Sequence, residues 1–225
     1  RLAEGRVDLF KKELRSVFRW IVWLALPIAV ITFFARGYVV AFIKNGGQPA
    51  IASVLGALVI SIFFRTLYHI MARTFYAQQD TRTPLYISIA TISLNIVLAI
   101  IFTQLFGWGV FGLAWAQSIV SVVEIAILLT ILHVRTPGIF NRKTLRSIIT
   151  MMIASAIMGV VTYFVVQMLQ LQSRDMNFMA VFPKFTVIVV VSFAVYIALS
   201  KVFKLEEADP IVAKLRQLLF GRVRR

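Results

Sequence analysis

The sequence predicts an all-α fold, a polytopic bundle of six transmembrane helices. The 225-residue chain is 60% hydrophobic and only 15% charged, and its mean hydropathy is +0.88. Such a composition leaves too little polar cover for a water-soluble surface. Six apolar segments approach or exceed the roughly 20 residues that a helix needs to cross a hydrocarbon core of about 30 Å. They are too long and too evenly apolar for barrel strands of about ten residues.

The six predicted spans follow one another with short connections between them. Glycine and proline mark three of these connections, at 46–49, 107–109 and 136–138. Residues 1–17 are expected to form a charged amphipathic lead-in, and residues 204–225 a basic tail. The spans are Phe18–Ala35, Ala50–Ala72, Pro84–Leu105, Gly109–His133, Leu145–Gln170 and Val181–Phe203.

The basic tail has two interpretations. Over Glu206–Arg225, in a helix that Asp209 and Pro210 open, the apolar residues fall on one face and the cations on another, which is typical of a helix lying on the cytoplasmic membrane surface. A frayed basic tail fits the same residues. The apolar positions are Ile211, Leu215, Leu218 and Leu219.

The distribution of Lys and Arg predicts the orientation. Nineteen of the 24 cations lie in the N-terminal segment with Arg19, the loops 73–83 and 135–146, and the C-terminal tail, whereas the opposite loops hold four. By the positive-inside rule both ends of the chain are cytoplasmic. The same asymmetry explains the net charge of +15 without a nucleic-acid partner.

Several kinds of chemistry are excluded or disfavoured by composition. The chain contains no cysteine, so disulfides and thiol nucleophiles are excluded. Its two histidines, His69 and His133, lie on different segments and do not form a metal-binding pattern. We therefore expect no metal and no cofactor.

Arg65, the one Lys or Arg of the 24 that belongs to neither group of loops, lies deep within a predicted span and is the main candidate for a functional residue. It lies about 8 to 10 residues, or about 12–15 Å, from the cytoplasmic end of its span. Arginine keeps its proton, so its charge costs free energy within the membrane. Water, a counter-charge or an anionic ligand must offset this cost. His69 and Arg73 follow at intervals of four and form a polar stripe that can line a cavity and meet phosphate. Alternatively, Arg65 pairs with Glu124, the carboxylate at matching depth.

The segment from Arg73 to Pro84, Arg-Thr-Phe-Tyr-Ala-Gln-Gln-Asp-Thr-Arg-Thr-Pro, resembles a cytoplasmic loop of the MurJ/MviN lipid II flippases. These belong to the multidrug/oligosaccharidyl-lipid/polysaccharide exporter superfamily. Residues 93–98 and 107–116 are similar to two further segments of the family. The resemblance implies that Gln78, Asp80, Thr81, Arg82 and Pro84 form a hinge loop. Asp80 and Thr81 are expected to cap the helix that Pro84 begins.

The resemblance also implies an organisation for the chain. It corresponds to helices nine to fourteen of a fourteen-helix flippase, so we expect it to be a fragment that lacks the N-terminal lobe. The charged start at Arg1, without methionine or signal peptide, agrees with this expectation. Residues 18–133 would supply four helices of the C-terminal lobe. Residues 134–203 would add two helices whose groove accepts a lipid tail.

The function implied by the resemblance is transport, so we expect no enzymatic activity. The expected substrate is an undecaprenyl-pyrophosphate-linked peptidoglycan precursor, moved across the bacterial cytoplasmic membrane by alternating access, with Arg65, His69 and Arg73 contacting its headgroup. Membrane lipids and the missing lobe would be partners. Two alternatives are an exporter of another lipid-linked oligosaccharide and a non-transporting scaffold for the cell-wall synthesis machinery.

Two amides within the spans have an open role. Asn95 and Gln117 can coordinate a cation or headgroup, although such amides more often bond a neighbouring helix. Some members of the family carry a sodium site that uses an asparagine and an aspartate four residues later. Here Asn95 is present but the second position is Ala99. Because this site lacks its charged ligand, we predict no bound sodium.

Overall fold

The computed structural model describes residues 7–43, 48–169 and 178–210, and these ranges form helices and short connections without a strand. A π-helical turn, Ile101–Leu105, extends α4, and a 3₁₀ turn, Glu206–Ala208, follows α7. Six of the helices, all except α2, are long and apolar enough to cross a membrane, which confirms the predicted six spans. The seven helices are α1 Val7–Phe34, α2 Arg36–Ile43, α3 Pro49–Ala77, α4 Arg82–Ile100, α5 Gly109–Arg135, α6 Arg142–Met168 and α7 Phe178–Val202.

The helices pack in two groups that share an interface. Helix α5 packs against both α3 and α4, while α6 packs against both α1 and α7. Contacts between α1 and α3 join the groups. Helix α4 lies at the edge of the bundle, since only 11% of its most apolar window is buried, compared with 39% for α5. The arrangement leaves α4 covered by α5 on one side and open on the other.

Aromatic packing fixes α1 against α7 in the second group. Trp23 is fully buried, and its ring lies 5.5 Å from that of Tyr196. The indole Nε1 donates a hydrogen bond to Ser200 Oγ at 3.1 Å. A buried indole N–H needs such a partner, so this bond orients the tryptophan as well as satisfying it.

Most helix ends differ from the predicted ones by a few residues, and two larger differences lie near the start of the chain. Helix α1 begins at Val7, so the described part of the lead-in continues directly into the first span and Pro27 lies inside the helix. Residues 36–43, predicted as a connection, form α2, whose Tyr38, Val40 and Ala41 are buried. Eight residues are too short to span a membrane, so hydropathy alone did not distinguish α2 from a loop. Most of the predicted tail helix, residues 211–225, lies outside the described residues.

The cation-rich segments meet at one end of the bundle. Lys11 Nζ donates to a carbonyl of the loop 137–139 at 3.1 Å, and Arg15 donates to two more at 2.7 and 2.9 Å. Arg19 forms ion pairs with the carboxylates of Glu206–Glu207. The start of α1, the 135–146 loop and the chain after α7 therefore lie together, as their grouping on one side of a membrane requires.

Candidate functional site

The four polar residues that the sequence singled out inside the spans, Arg65, Asn95, Gln117 and Glu124, line one cleft of about 290 Å³ between α3, α4 and α5. Helix α5 brings its polar residues to this cleft because small residues, Gly112, Ala114 and Ala116, let it approach its neighbours closely. The cleft is lined by Arg65, Tyr68, Ser88, Thr91, Asn95, Gln117 and Glu124, with Ile92, Ile96 and Val120 as apolar walls.

A chain of two amides contacts Arg65 at one end of the cleft. A guanidinium only donates hydrogen bonds, so the Gln117 amide is assigned with its oxygen towards Arg65. In this orientation the oxygen accepts from Arg65 Nη2 at 2.8 Å and from Nε at 3.2 Å. The Gln117 nitrogen then lies 2.7 Å from the Asn95 amide, which we assign with its oxygen towards Gln117 because two donors cannot bond each other. Asn95 and Gln117 thus connect α4 to α5 and orient the arginine.

Hydroxyl groups surround the carboxylate at the other end of the cleft. Glu124 is buried, and its Oε1 accepts from Ser88 Oγ at 3.1 Å and from Thr91 Oγ1 at 3.2 Å. The phenol of Tyr68 lies 2.8 Å from the same Ser88 hydroxyl. Three side chains from two helices therefore form a hydrogen-bonded network with Glu124. The sequence analysis missed them because serine, threonine and tyrosine are unremarkable in membrane helices until their register is known.

The possible pair between Arg65 and Glu124 is not formed in the described part of the chain. Both residues line the cleft, but the described ion pairs do not join them. Matching depth was the basis for that pair, and depth does not specify the direction in which each side chain points around its helix. Instead, Arg65 contacts the amide of Gln117, and Glu124 accepts from the hydroxyls of Ser88 and Thr91.

The polar stripe on α3 is present as an exposed face, but only its first member lines the cleft. Arg65, His69 and Arg73 are all exposed on that face. The His69 ring packs edge-on against Tyr68 with centroids 5.7 Å apart. The structure therefore separates His69 and Arg73 from the cleft and places them between it and the loop that follows α3. Their contact with a substrate stays a prediction.

The hinge loop is held by one carboxylate. Asp80 Oδ1 accepts from the backbone N–H groups of Arg82 and Thr83, both at 3.0 Å, and Oδ2 accepts from the Thr83 hydroxyl. Arg135, at the end of α5, forms an ion pair with Asp80 and donates to Thr83 Oγ1 at 2.9 Å. Asp80 therefore caps α4 and ties the loop to α5. The sequence analysis did not identify the contribution of Arg135.

Three details of the hinge differ from expectation. Thr81 makes no side-chain capping bond, so the cap belongs to Asp80 alone. Helix α4 begins at Arg82, and Pro84 is a buried residue of its first turn. Helix α3 ends at Ala77, and Gln78 caps it with a backbone N–H bonded to carbonyls of the last turn. Because the Asp80 carboxylate satisfies the first free N–H groups, the helix begins two residues earlier than proline alone suggested.

We expect Asp80→Ala to destabilise the full-length protein by about 1 kcal/mol at pH 7, through the lost cap and ion pair. The hydroxyl and then the backbone N–H of Thr83, followed by Arg135, hold the pKa of Asp80 well below its ordinary 3.8. A lowered folded-state pKa contributes stability above the ordinary value, and this stability is lost as pH falls below it. Thermal unfolding in detergent should show a smaller stability difference between wild type and Asp80→Ala at pH 3 than at pH 7.

Asp80→Asn is the matched control for this prediction. The amide keeps one acceptor oxygen for the α4 cap but loses the charge, so its stability loss at pH 7 should be smaller. At pH 3 its stability should lie closer to that of the wild type, because the unfolded wild-type chain then takes up a proton at Asp80 and part of the charge-dependent stability is lost. An equal stability difference between wild type and Asp80→Ala at both pH values would show that the carboxylate charge does not hold the loop.

Comparison with known proteins gives one consistent family. Residues 2–183 match the family model for the lipid II flippase MurJ. A probable lipid II flippase MurJ of Thermotoga maritima is 28% identical over 219 residues, which cover 95% of this chain and 42% of the relative. A probable lipid II flippase MurJ of Vibrio cholerae is 28% identical over 135 residues, which cover 60% of this chain and 24% of the relative.

The chain thus spans less than half the length of the curated relatives it matches. Its six apolar helices and its relatives agree on a multi-pass membrane protein. The family match covers every described helix except the greater part of α7. The chain belongs to the lipid II flippase MurJ family.

Proposed function

We propose that the protein to which this chain belongs translocates lipid II, the lipid-linked peptidoglycan precursor, across the bacterial cytoplasmic membrane by alternating access. The observation that carries the proposal is the family match over residues 2–183. The names of the two relatives support the same substrate. Transport of this kind requires a polar site within the membrane-spanning helices, and the cleft between α3, α4 and α5 supplies one.

Arg65 is the proposed contact for the pyrophosphate of the substrate. A guanidinium has five N–H donors, and the contacts with Gln117 use two of its nitrogens. The remaining donors on an exposed side chain match the oxygens of a phosphate, which arginine binds in a charge-assisted, often bidentate way. His69 and Arg73 would extend the positive path from this contact towards the end of α3.

The proposed orientation places the cation-rich end of the bundle in the cytoplasm. The contacts of Lys11, Arg15 and Arg19 bring the positive segments to that end, and an excess of Lys and Arg favours the cytoplasmic side. The Asp80–Arg135 pair lies in the loop between α3 and α4. It would keep the two helices and α5 in register while the lobe moves as a unit.

The remaining organisation of the protein is part of the same proposal. Residues 18–133 contribute to the C-terminal lobe, and an N-terminal lobe of the same protein completes the cavity. Residues 134–203 contribute two additional helices, and the exposed apolar side chains of α6 and α7 suit contact with a lipid tail. A separate apolar cleft of about 360 Å³ lies between α1 and α3.

The full-length gene should restore growth to bacteria depleted of their own lipid II flippase. Restored lipid II at the outer leaflet, detected by an externally added enzyme that acts on it, should accompany growth. Failure to rescue despite normal membrane levels would indicate a different lipid-linked substrate. Growth without restored translocation would instead indicate a scaffold that acts through the cell-wall synthesis machinery.

A further inference from the structure

We propose that a polar pocket at the cation-rich end of the bundle binds the headgroup of a zwitterionic phospholipid, a phosphodiester joined to a primary ammonium. The pocket has a volume of about 450 Å³ and lies between the first half of α1, the start of α6 and the 3₁₀ turn after α7. It shares no lining residue with the cleft that contains Arg65. The inference therefore does not depend on which substrate the protein carries.

Lysines on two helices supply the side of the pocket that would bind the phosphate. Arg19 is already matched by the carboxylates of the 3₁₀ turn, and Arg15 donates to two backbone carbonyls at 2.7 and 2.9 Å. Within the described ranges, the hydrogen bonds and ion pairs do not include the exposed ammonium groups of Lys12 and Lys143, which also line the pocket. Phosphate oxygens accept charge-assisted hydrogen bonds from such groups.

Two carboxylates supply the opposite side of the pocket. The side chain of Glu207 is only 4% exposed, and its Oε1 forms the ion pair with Arg19. Among the residues that the structure describes, its Oε2 has no hydrogen-bond partner. The neighbouring Glu206 is 82% exposed and uses Oε2 for Arg19. A carboxylate accepts hydrogen bonds without donating any, so these oxygens suit a ligand group that carries several N–H donors.

The two sides of the pocket together distinguish one kind of headgroup. A primary ammonium has three N–H donors and a positive charge, so it satisfies the carboxylates while the adjoining phosphate meets the lysines. A trimethylammonium carries the charge but has no N–H donor. A glycerol headgroup leaves the ligand with a net negative charge, which the carboxylates disfavour. Ethanolamine is therefore the headgroup that matches both sides.

The depth of the pocket favours a lipid over a free phosphate. The predicted apolar spans begin at Phe18 on α1 and at Leu145 on α6, and α7 ends at Val202, so the pocket lies where these spans meet the headgroup region. Trp20 lines it, and tryptophan is enriched at this level of a membrane. The apolar side chains of Val17 and Leu145 are 47% and 59% exposed, which suits contact with acyl chains.

The experiment measures lipid binding to the purified full-length protein by native mass spectrometry. The probes are phosphatidylethanolamine, phosphatidylcholine and phosphatidylglycerol with identical acyl chains. Phosphatidylethanolamine should bind at least about fivefold more tightly than either of the others, which is the effect typical of one charged contact near a membrane surface. Inorganic phosphate should displace it only weakly. Inorganic phosphate that binds as tightly as the lipid would instead show a site for a soluble anion.

Exposed side chains on both sides of the pocket provide the variants. Lys12→Ala/Lys143→Ala should weaken phosphatidylethanolamine binding at least about fivefold. Glu206→Gln should remove most of the preference for phosphatidylethanolamine over phosphatidylcholine. The matched control, Arg142→Ala/Lys201→Ala, removes two exposed cations from the same end of the bundle but outside the pocket, and should bind the lipids as the wild type does. Thermal unfolding of each variant verifies that it is folded.

Three results would overturn the inference. The first is equal binding of the three lipids to the wild type, and the second is tighter binding of phosphatidylglycerol, which would indicate a site for anions alone. The third is unchanged phosphatidylethanolamine binding in Lys12→Ala/Lys143→Ala. A failed growth rescue would refute lipid II translocation without altering any of these binding measurements.

Discussion

Replacing Arg65 with alanine in the full-length protein should abolish growth support while leaving the protein folded in the membrane. Charge-assisted hydrogen bonds contribute about 1.5–3 kcal/mol each, so losing them should weaken phosphate binding at least tenfold. The side chain is exposed in the cleft, and losing its contacts with Gln117 should lower folding stability by about 1 kcal/mol, which leaves the protein folded. Growth of flippase-depleted cells and the thermal unfolding of the purified variant separate the two effects.

Two variants serve as controls for the Arg65 prediction. Arg65→Lys keeps the charge but loses the planar donor pair, so it should support weak growth between the alanine variant and the wild type. Arg142→Ala removes the same charge from the exposed start of α6, outside the cleft, and should support normal growth. Normal growth with Arg65→Ala would exclude this side chain as a substrate contact.

The spans were predictable from the sequence because membrane crossing depends on local properties. Length and apolarity along the chain are sufficient to locate a helix that must hide its backbone polar groups from lipid. Helix α2 could not be predicted in this way, because it is too short to cross the bilayer. Its apolar residues are buried against other helices instead. Helix α4 begins earlier than predicted because the side chain of Asp80 caps it. Such a cap involves only two or three residues, so hydropathy averaged over a longer segment does not detect it.

The site was less predictable than the fold because it depends on how the helices are turned. The sequence identified Arg65 and Glu124 from the cost of a charge in a membrane, and this cost is a property of each residue alone. Their partners are Gln117 for the arginine and Ser88 and Thr91 for the carboxylate. Those contacts depend on how α3, α4 and α5 are rotated about their axes relative to one another. Neither residue spacing nor depth in the membrane gives this rotation.

The ion pair between Asp80 and Arg135 shows the same difference between local and tertiary information. Asp80 was identified from the resemblance of its loop to a known family, and its capping role was predicted from its position before the helix, because capping is local. Arg135 lies 55 residues later, at the end of α5, and reaches Asp80 only in the folded bundle. A local sequence signal thus located the loop, while its attachment to α5 depends on tertiary packing.

We expect Gly112→Ala to destabilise the full-length protein by about 2 kcal/mol, because the turn between α4 and α5 leaves no room for a side chain. A Cβ at this position would lie 2.9 Å from Phe102 Cβ, 3.0 Å from its carbonyl carbon and 3.1 Å from its carbonyl oxygen. The Phe102 carbonyl accepts a hydrogen bond from the Trp108 backbone N–H at 3.0 Å, which holds it in place. A rotamer change cannot move a backbone carbonyl, so the π-helical turn or α5 must shift.

Gly159→Ala separates this steric effect from the general effect of adding a methyl group. A Cβ at Gly159 would lie 3.1 Å from Phe34 Cε2 and from Val30 Cγ1, which are ends of side chains that can move. Alanine also favours a helix over glycine by about 1 kcal/mol, and this gain should nearly offset the crowding at Gly159. Thermal unfolding in detergent should therefore show a clear loss for Gly112→Ala and little change for Gly159→Ala. Equal stability of the two variants would mean that the turn after α4 is free to open.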